Sequence, residues 1–162
     1  MMVLYSDYLD EGEHEHMSKE VVERQSQEFC EAWQGIDSIY EDYARRMNIS
    51  YTTLYILNLI SQLDDCTQKD ICERGRLPKQ TVNSVVTSLY KQGLVELRET
   101  PEDRRVKTVH LTDKGRDYTG RILPHVQQAE YEAMAGLTQE ERNGLLLGMQ
   151  RYCELFREKM LE

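Results

Sequence analysis

The sequence predicts a mainly α-helical protein that contains one small antiparallel β-hairpin. Apolar residues recur at spacings of three and four through most of the 162 residues, which is the period of an amphipathic helix. Two short runs, residues 94–100 and 106–111, are instead alternating and β-branched, and the sequence PEDRR lies between them. A charged content of 30% fits helices with much solvated surface.

Charge is distributed unevenly along the chain. The net charge is −9, but residues 67–121 hold 12 Lys and Arg against 8 Asp and Glu, a net charge of +4. The remaining residues, with 8 basic and 21 acidic groups, carry −13. A basic middle third favours a polyanionic partner for that part of the chain.

The first part of the chain is predicted to be an acidic arm, residues 1–20, followed by a long helix in residues 21–49. The arm lacks the basic and apolar regions of a signal peptide, and no run approaches the ~20 apolar residues of a membrane span. We therefore expect a cytoplasmic protein with no membrane contact. The helix carries one apolar stripe, formed by Phe29, Trp33, Ile36, Ile39, Tyr40 and Tyr43.

Two short helices are predicted next, after a largely buried helix that Ser50 caps. Thr67 and Asp70 have the spacing of a capping box, in which each residue's side chain accepts a hydrogen bond from the other's backbone N–H. Gly75 is expected just past the end of this first short helix, in the left-handed conformation. Pro78 is expected at the first position of the second short helix.

That second short helix, which Gly93 closes, has two different faces. The apolar face is formed by Val82, Val85, Val86 and Leu89. A polar outer face is ordinary for a surface helix, so the helix alone leaves its function open. The residues that could contact DNA bases or phosphates are Lys79, Gln80, Thr81, Asn83, Ser84 and Thr87.

The hairpin that follows favours DNA binding over a plain surface helix. Two helices, a tight turn and a hairpin describe a winged helix-turn-helix, in which a basic hairpin tip can enter the minor groove of DNA. Arg105 is the candidate for insertion, with Arg104 and Lys107 near the flanking phosphates. Asp103 is predicted to hold the arginine side chain in one pose.

The C-terminal part is predicted to be helical. Thr112 caps a long helix in which Pro124 is expected to cause a kink or a break, and Gly136 ends it. Thr138 begins a second capping box, and the last helix continues to the end of the sequence.

Residues 50–115 resemble the MarR family of transcriptional regulators. The match rests on the hairpin signature D-x-R at Asp103 to Arg105, followed by L-T-x-x-G at Leu111 to Gly115. The resemblance implies a homodimer that binds a palindromic operator, commonly as a repressor. It also implies dimerisation helices in residues 21–49 and 113–162 and a DNA-binding lobe in residues 50–112.

The resemblance further implies release of DNA in response to a small, often aromatic, ligand or an oxidant. Cys30 is the candidate redox residue, although a buried structural thiol is the simpler interpretation. Cys66 lies just before a helix N-terminus, so its position favours the reactive thiolate more than that of Cys30 does. Cys72 and Cys153 are expected in the core. The candidate ligand-binding aromatics, which could equally be core residues, are Trp33, Tyr40, Tyr43, Tyr55 and Tyr118.

No cofactor or metal site is expected. His14 and His16 alternate with glutamates, but they lie in the acidic arm, and a zinc site needs fixed geometry. The chain has no nucleophile–base pair and no glycine loop for phosphate, so we predict that it is not an enzyme. The alternative function is a winged-helix dimer that serves as a protein-interaction module without binding DNA.

Overall fold

The structure, a computed structural model, describes residues 18–63, 65–99 and 106–161. These residues form six α-helices and a two-stranded antiparallel sheet, which confirms the predicted fold class. None of the described helices is long and apolar enough to cross a membrane. In chain order the elements are α1 (Lys19–Arg46), α2 (Tyr51–Gln62), α3 (Gln68–Gly75), α4 (Lys79–Lys91), β1 (Val95–Glu99), β2 (Lys107–Leu111), α5 (Asp113–Gly136) and α6 (Gln139–Leu161).

The chain divides into two compact units with a boundary after Tyr51. In the first unit, Ser18 caps α1 by accepting a hydrogen bond from the backbone N–H of Val21, so the helix begins two residues earlier than predicted. Gly35 lies inside this helix without interrupting it. Residues 1–17 of the predicted arm lie outside the described residues.

The core of the second unit is built from α2, α3, α4 and the hairpin. Each element contributes the apolar positions that its periodicity predicts, and a buried side chain of this size stabilises the fold by about 1.5–3 kcal/mol. The most deeply buried of these side chains are Ile56, Leu57, Ile71, Val82, Val86, Leu89, Val95 and Val109.

The turn between α3 and α4 departs from the prediction at Gly75. The capping box at the start of α3 is confirmed, since Thr67 and Asp70 exchange both of its hydrogen bonds. At the other end, Arg76 takes the left-handed conformation, with φ of 49°, and Gly75 is the last helical residue. A Cβ on Gly75 would lie 3.1 Å from Cδ1 of Leu59, so the glycine serves close packing against α2.

The α4 helix is bounded much as predicted. Pro78 occupies the N-cap position, one residue before the predicted place, and its side chain makes no capping hydrogen bond. Gly93 follows the helix in a left-handed conformation with φ of 69°. Glycine adopts this conformation at little cost, which explains its use where the chain leaves α4 for β1.

The hairpin is attached to the loop that precedes α3. Strands β1 and β2 pair in the register Val95 with Leu111 and Glu99 with Lys107. An isolated antiparallel bridge joins Thr67 to Thr108, and the N–H of Val109 donates to the carbonyl oxygen of Cys66 over 2.7 Å. The short segment before α3 is therefore joined to β2 through one bridge.

The L-T-x-x-G motif has a structural explanation at the junction of the hairpin and α5. Thr112 is the N-cap of α5, and its Oγ1 accepts from the N–H of Gly115 at 3.0 Å and lies 2.7 Å from the carbonyl oxygen of Gly93. A Cβ on Gly115 would lie 1.9 Å from the carbonyl oxygen of Leu94. Only glycine permits this approach of α5 to the start of β1.

The two C-terminal helices differ from each other in burial, since α5 buries residues such as Ile122 and Leu123. A kink or a break was expected at Pro124. There is no break, because α5 continues past Pro124 to Gly136. Thr138 and Glu141 form the predicted second capping box. Helix α6 has no buried residue, although its sequence is rich in leucine.

Candidate nucleic-acid interface

Helix α4 presents a polar face away from the core. Its apolar residues Val82, Val86 and Leu89 are almost completely buried, which fixes the rotation of the helix in its unit. Lys79 and Gln80 lie in the first turn at the exposed N-terminal end. Backbone N–H groups at a helix N-terminus lack intrahelical partners and can bind a phosphate.

The structure brings most of the predicted base-contacting residues together on that face. Asn83, Ser84 and Thr87 are exposed, at the spacing of successive helical turns. Their amide and hydroxyl groups both donate and accept hydrogen bonds, as reading base edges requires. Thr81 is half-buried, so it belongs less clearly to the outer face than the other residues.

The hairpin places one of its predicted contacts within the described residues. Lys107 is exposed at the start of β2, paired in register with Glu99. Asp103, Arg104 and Arg105 lie outside the described residues. The insertion of Arg105 into the minor groove, the phosphate contact of Arg104 and the positioning role of Asp103 therefore stay predictions.

Three further basic side chains near α4 were not singled out from the sequence. Lys69 and Arg74 are exposed on α3, and Arg76 is exposed in the turn that leads to α4. Lys69 forms an exposed ion pair with Glu73 at 3.7 Å, which is too weak to prevent a phosphate contact. The signal that could have identified them was their place in the basic middle third, next to the candidate recognition helix.

Comparison with known proteins agrees with this geometry. Residues 47–106, which span α2, α3, α4 and β1, match the model of the MarR family. A helix-turn-helix transcriptional regulator of Bacillus subtilis, YdgJ, is 30% identical over 98 residues. The resemblance to MarR-family regulators that the hairpin signature predicts is thus confirmed for the middle of the chain. The matched family and YdgJ are regulators, in agreement with the prediction that the chain is not an enzyme.

Solved MarR-family structures extend the likeness to most of the chain. NMB1585 of Neisseria meningitidis, a MarR family regulator, has a TM-score of 0.72 with 24% identity, covering 84% of this chain and 96% of that protein. FabT of Streptococcus pneumoniae, solved in complex with DNA, has a TM-score of 0.70 with 20% identity, covering 85% and 98%. The YdgJ alignment spans 60% of each chain.

Three of the four cysteines are placed differently from the predictions. Cys30 is exposed in α1, so the simple interpretation of a buried structural thiol is wrong for it. Cys153 is exposed in α6 and Cys72 is half-buried, rather than both lying in the core. Cys66 is buried, and this burial, together with the charge of Asp70, raises the pKa of its thiol to about 11. Cys66 is therefore a poor nucleophile at neutral pH.

None of the predicted ligand-binding aromatics lines the cavity between α2, the hairpin and α5 that is described below. Trp33, Tyr40 and Tyr43 lie in the first unit, where Tyr40 stacks on Tyr51 with ring centroids 5.3 Å apart. Tyr55 and Tyr118 are half-buried in the second unit. Their role in binding a ligand stays a prediction.

An open cavity of about 890 Å³ lies between the end of α2, the hairpin and α5. Its walls combine apolar side chains, such as Ile60 and Leu123, with charged ones, such as Arg98 and Arg116. This combination and volume fall within the range of sites for small molecules. Residues 18–63, 65–99 and 106–161 contain no cluster of metal-ligating side chains, and His14 and His16 lie outside them.

Proposed function

We propose that the chain is a sequence-specific transcriptional repressor that binds a palindromic operator in double-stranded DNA as a homodimer. Helix α4 reads bases in the major groove, and the hairpin contacts the minor groove and its phosphates. The predicted cytoplasmic location belongs to this proposal, because the partner is DNA. A small molecule or an oxidant would release the operator.

The observation that carries this proposal is the exposed face of α4. The helix is held by a fully buried apolar face, so its outer side chains have a fixed orientation. That outer face offers short polar groups, with the basic residues Arg76 and Lys79 at its N-terminal end. Such an arrangement can dock against phosphates and read base edges at the same time.

The homodimer is supported by apolar side chains that the chain leaves exposed. Ile39 of α1 is 71% exposed, and Leu147 and Phe156 of α6 are 66% and 51% exposed. Apolar groups concentrated on two long helices are typical of a surface that a second subunit covers. A two-fold dimer would place its recognition helices about 34–36 Å apart, which is one turn of DNA.

The cavity beside the hairpin supports control by a small molecule. A ligand there would touch α2, β2 and α5, and it could change how the hairpin is held relative to α4. To weaken DNA binding, it must bind the released conformation more tightly than the DNA-bound one. Exposed Cys30 supports an oxidant as the alternative signal.

Selection of bound DNA from a random pool tests the proposal and identifies the operator. We expect a palindrome whose half-sites lie one helical turn apart. On that operator, the substitution Asn83→Ala should weaken binding by about 1–3 kcal/mol, since an Asn pair with adenine contributes that much. Asn143→Ala on exposed α6 is the matched control, and its binding should equal that of the wild type.

Two further outcomes separate the roles of helix, hairpin and partner. Arg105→Ala should weaken binding broadly, and removal of the Lys79 phosphate contact should lower the salt slope by about one unit. If no sequence is enriched from the pool, the chain is instead a protein-interaction module. Sedimentation that yields a monomer at micromolar concentration would exclude the homodimer.

A further inference from the structure

Two polar side chains of β2 connect the hairpin to the loop between α2 and α3. Nε2 of His110 lies 2.7 Å from Oγ1 of Thr108 and 3.6 Å from Oδ1 of Asp65. Asp65 belongs to that loop and has a left-handed backbone, with φ of 50°. The contact therefore joins two segments that are distant in sequence.

The backbone beside this contact is already paired. The bridge between Thr67 and Thr108 and the hydrogen bond from Val109 N–H to the Cys66 carbonyl attach the same loop to β2. The Asp65–His110 pair adds a side-chain contact to this backbone attachment. It lies beside the two-stranded sheet that β1 and β2 form.

The hydrogen bonds of Thr108 depend on the proton at Nε2 of His110. The threonine hydroxyl has one proton, and it lies 2.7 Å from that ring nitrogen and 3.3 Å from the carbonyl oxygen of Arg98. When Nε2 is protonated, its N–H donates to Oγ1, and the hydroxyl proton is free for the Arg98 carbonyl. When Nε2 carries no proton, the hydroxyl of Thr108 donates its proton to Nε2 instead of to the Arg98 carbonyl oxygen.

A full positive charge on the imidazole adds an ion pair with Asp65. The other charged groups facing His110 are its register partner Glu96 and Arg98 on β1, and Arg116 on α5. Nε of Arg98 donates to Glu96 over 2.7 Å, and Arg116 is paired with Asp113. Each arginine charge is thus balanced by its own acid, and the Asp65 carboxylate remains to balance the imidazolium.

We propose that Asp65 and His110 are positioning residues for the hairpin, and that protonation of His110 tightens its attachment to the α2–α3 loop. The position of Lys107 and of the rest of the hairpin relative to α4 then depends on pH. Operator affinity is therefore higher at pH 6 than at pH 8. This consequence for affinity rests on the proposed DNA-binding function.

The test compares the full chain at pH 6 and pH 8 at constant ionic strength. Protection of the Val109 N–H against hydrogen exchange, corrected for intrinsic rates, reports the attachment itself, and fluorescence anisotropy with the selected operator reports affinity. We expect both to be about two- to fivefold higher at pH 6 in the wild type, the size of a partly exposed ion pair. The changes Asp65→Asn and His110→Gln should abolish the difference.

Matched controls are Asp117→Asn and His125→Gln on α5. Both variants should keep the wild-type ratio of protection at pH 6 to protection at pH 8. If His110→Gln fails to fold, Asp65→Asn still decides, because the Asp65 side chain is 83% exposed and its change removes no packing. An equal protection ratio in the wild type and Asp65→Asn overturns the proposal. So does an operator affinity that stays constant while protection changes.

Failure of DNA binding would be recognised separately. A wild type that binds no DNA at either pH, yet shows the protection ratio and loses it in Asp65→Asn, has the pH-dependent attachment without the proposed repressor function. That result would refute the function alone and leave the roles of Asp65 and His110 supported.

Discussion

Helices α4 and α6 are both amphipathic, but they use their apolar residues in opposite ways. Val86 and Leu89 of α4 are buried within the chain, whereas Leu147 and Phe156 of α6 are exposed. The apolar residues of α4 are thus buried by contacts within the chain, whereas those of α6 are not. The difference indicates that the lobe carrying α4 is stabilised by its own contacts, and it fits the proposal that a second subunit covers α6.

The largest expected effect is on the buried side of this comparison. Leu89→Ala should lower the free energy of unfolding by about 2–5 kcal/mol, because it leaves a cavity in a packed core. Leu147→Ala, on exposed α6, should change the monomer–dimer constant instead. Denaturant unfolding at several protein concentrations distinguishes the two, and equal losses that do not depend on concentration would contradict the comparison.

Glycine provides a second test in the same two regions. Gly115→Ala should destabilise the chain by about 3 kcal/mol or more, since the added methyl meets the Leu94 carbonyl oxygen. A Cβ on Gly144 of α6 meets nothing within 4 Å, so Gly144→Ala should stabilise the helix by about 0.5–1 kcal/mol. Thermal unfolding of both variants measures the difference, and loss of stability in Gly144→Ala would reveal a close contact with a partner.

Changes in the two capping boxes should have a smaller effect on the free energy of unfolding, and this effect depends on pH. Hydrogen bonds from the Thr67 side chain and backbone lower the pKa of Asp70, and those from Thr138 lower the pKa of Glu141. A lowered folded-state pKa contributes stability that is present above the unfolded-state value and is lost as the pH falls through the folded-state value. The Asp70 contribution should therefore be present at pH 7 and disappear in acid.

Asp70→Ala should lower the stability of the chain at pH 7 by about 1 kcal/mol, the usual size of a capping interaction. Glu141→Ala should have less effect on unfolding of the lobe, because its helix begins on exposed backbone. Unfolding curves at pH 7 and pH 3 test both statements. An Asp70→Ala variant that is less stable than the wild type by the same amount at both pH values would argue against the linkage.

Thiol reactivity provides the smallest perturbation, because it requires no substitution. Exposed Cys30 and Cys153 should react with iodoacetamide at pH 7.5 in the folded chain. Cys66, with its raised pKa and burial, should react only when the chain unfolds. Mass spectrometry after timed labelling locates each adduct, and early modification of Cys66 would show that the lobe opens readily.

Local features of the chain were predictable because their causes are local. Both capping boxes, the αL glycine at Gly93 and the alternation of the two strands depend on residues a few positions apart. The polar face of α4 was predictable for the same reason, since Val82 and Val86 specify which side is buried. That rotation alone identifies the residues that could contact DNA bases, which are Asn83, Ser84 and Thr87.

Features that depend on distant contacts were missed. Gly75 was assigned the left-handed position, but its packing against Leu59 requires the fold of α2. Cys66 looked activated by the nearby helix start, yet its burial under the hairpin raises its pKa instead. Cys30 and Cys153 were expected to be buried, but both side chains are exposed.

The order of the elements, both capping boxes, the apolar face of α4 and the hairpin signature follow from the sequence alone. Backbone hydrogen bonds and side-chain periodicity act over three or four residues, so a single sequence contains this information. Only the tertiary structure decided that Gly115 must lie against Leu94, that Asp65 meets His110, and that the apolar side of α6 stays exposed. Those outcomes depend on distances between segments far apart in the chain, which periodicity does not specify.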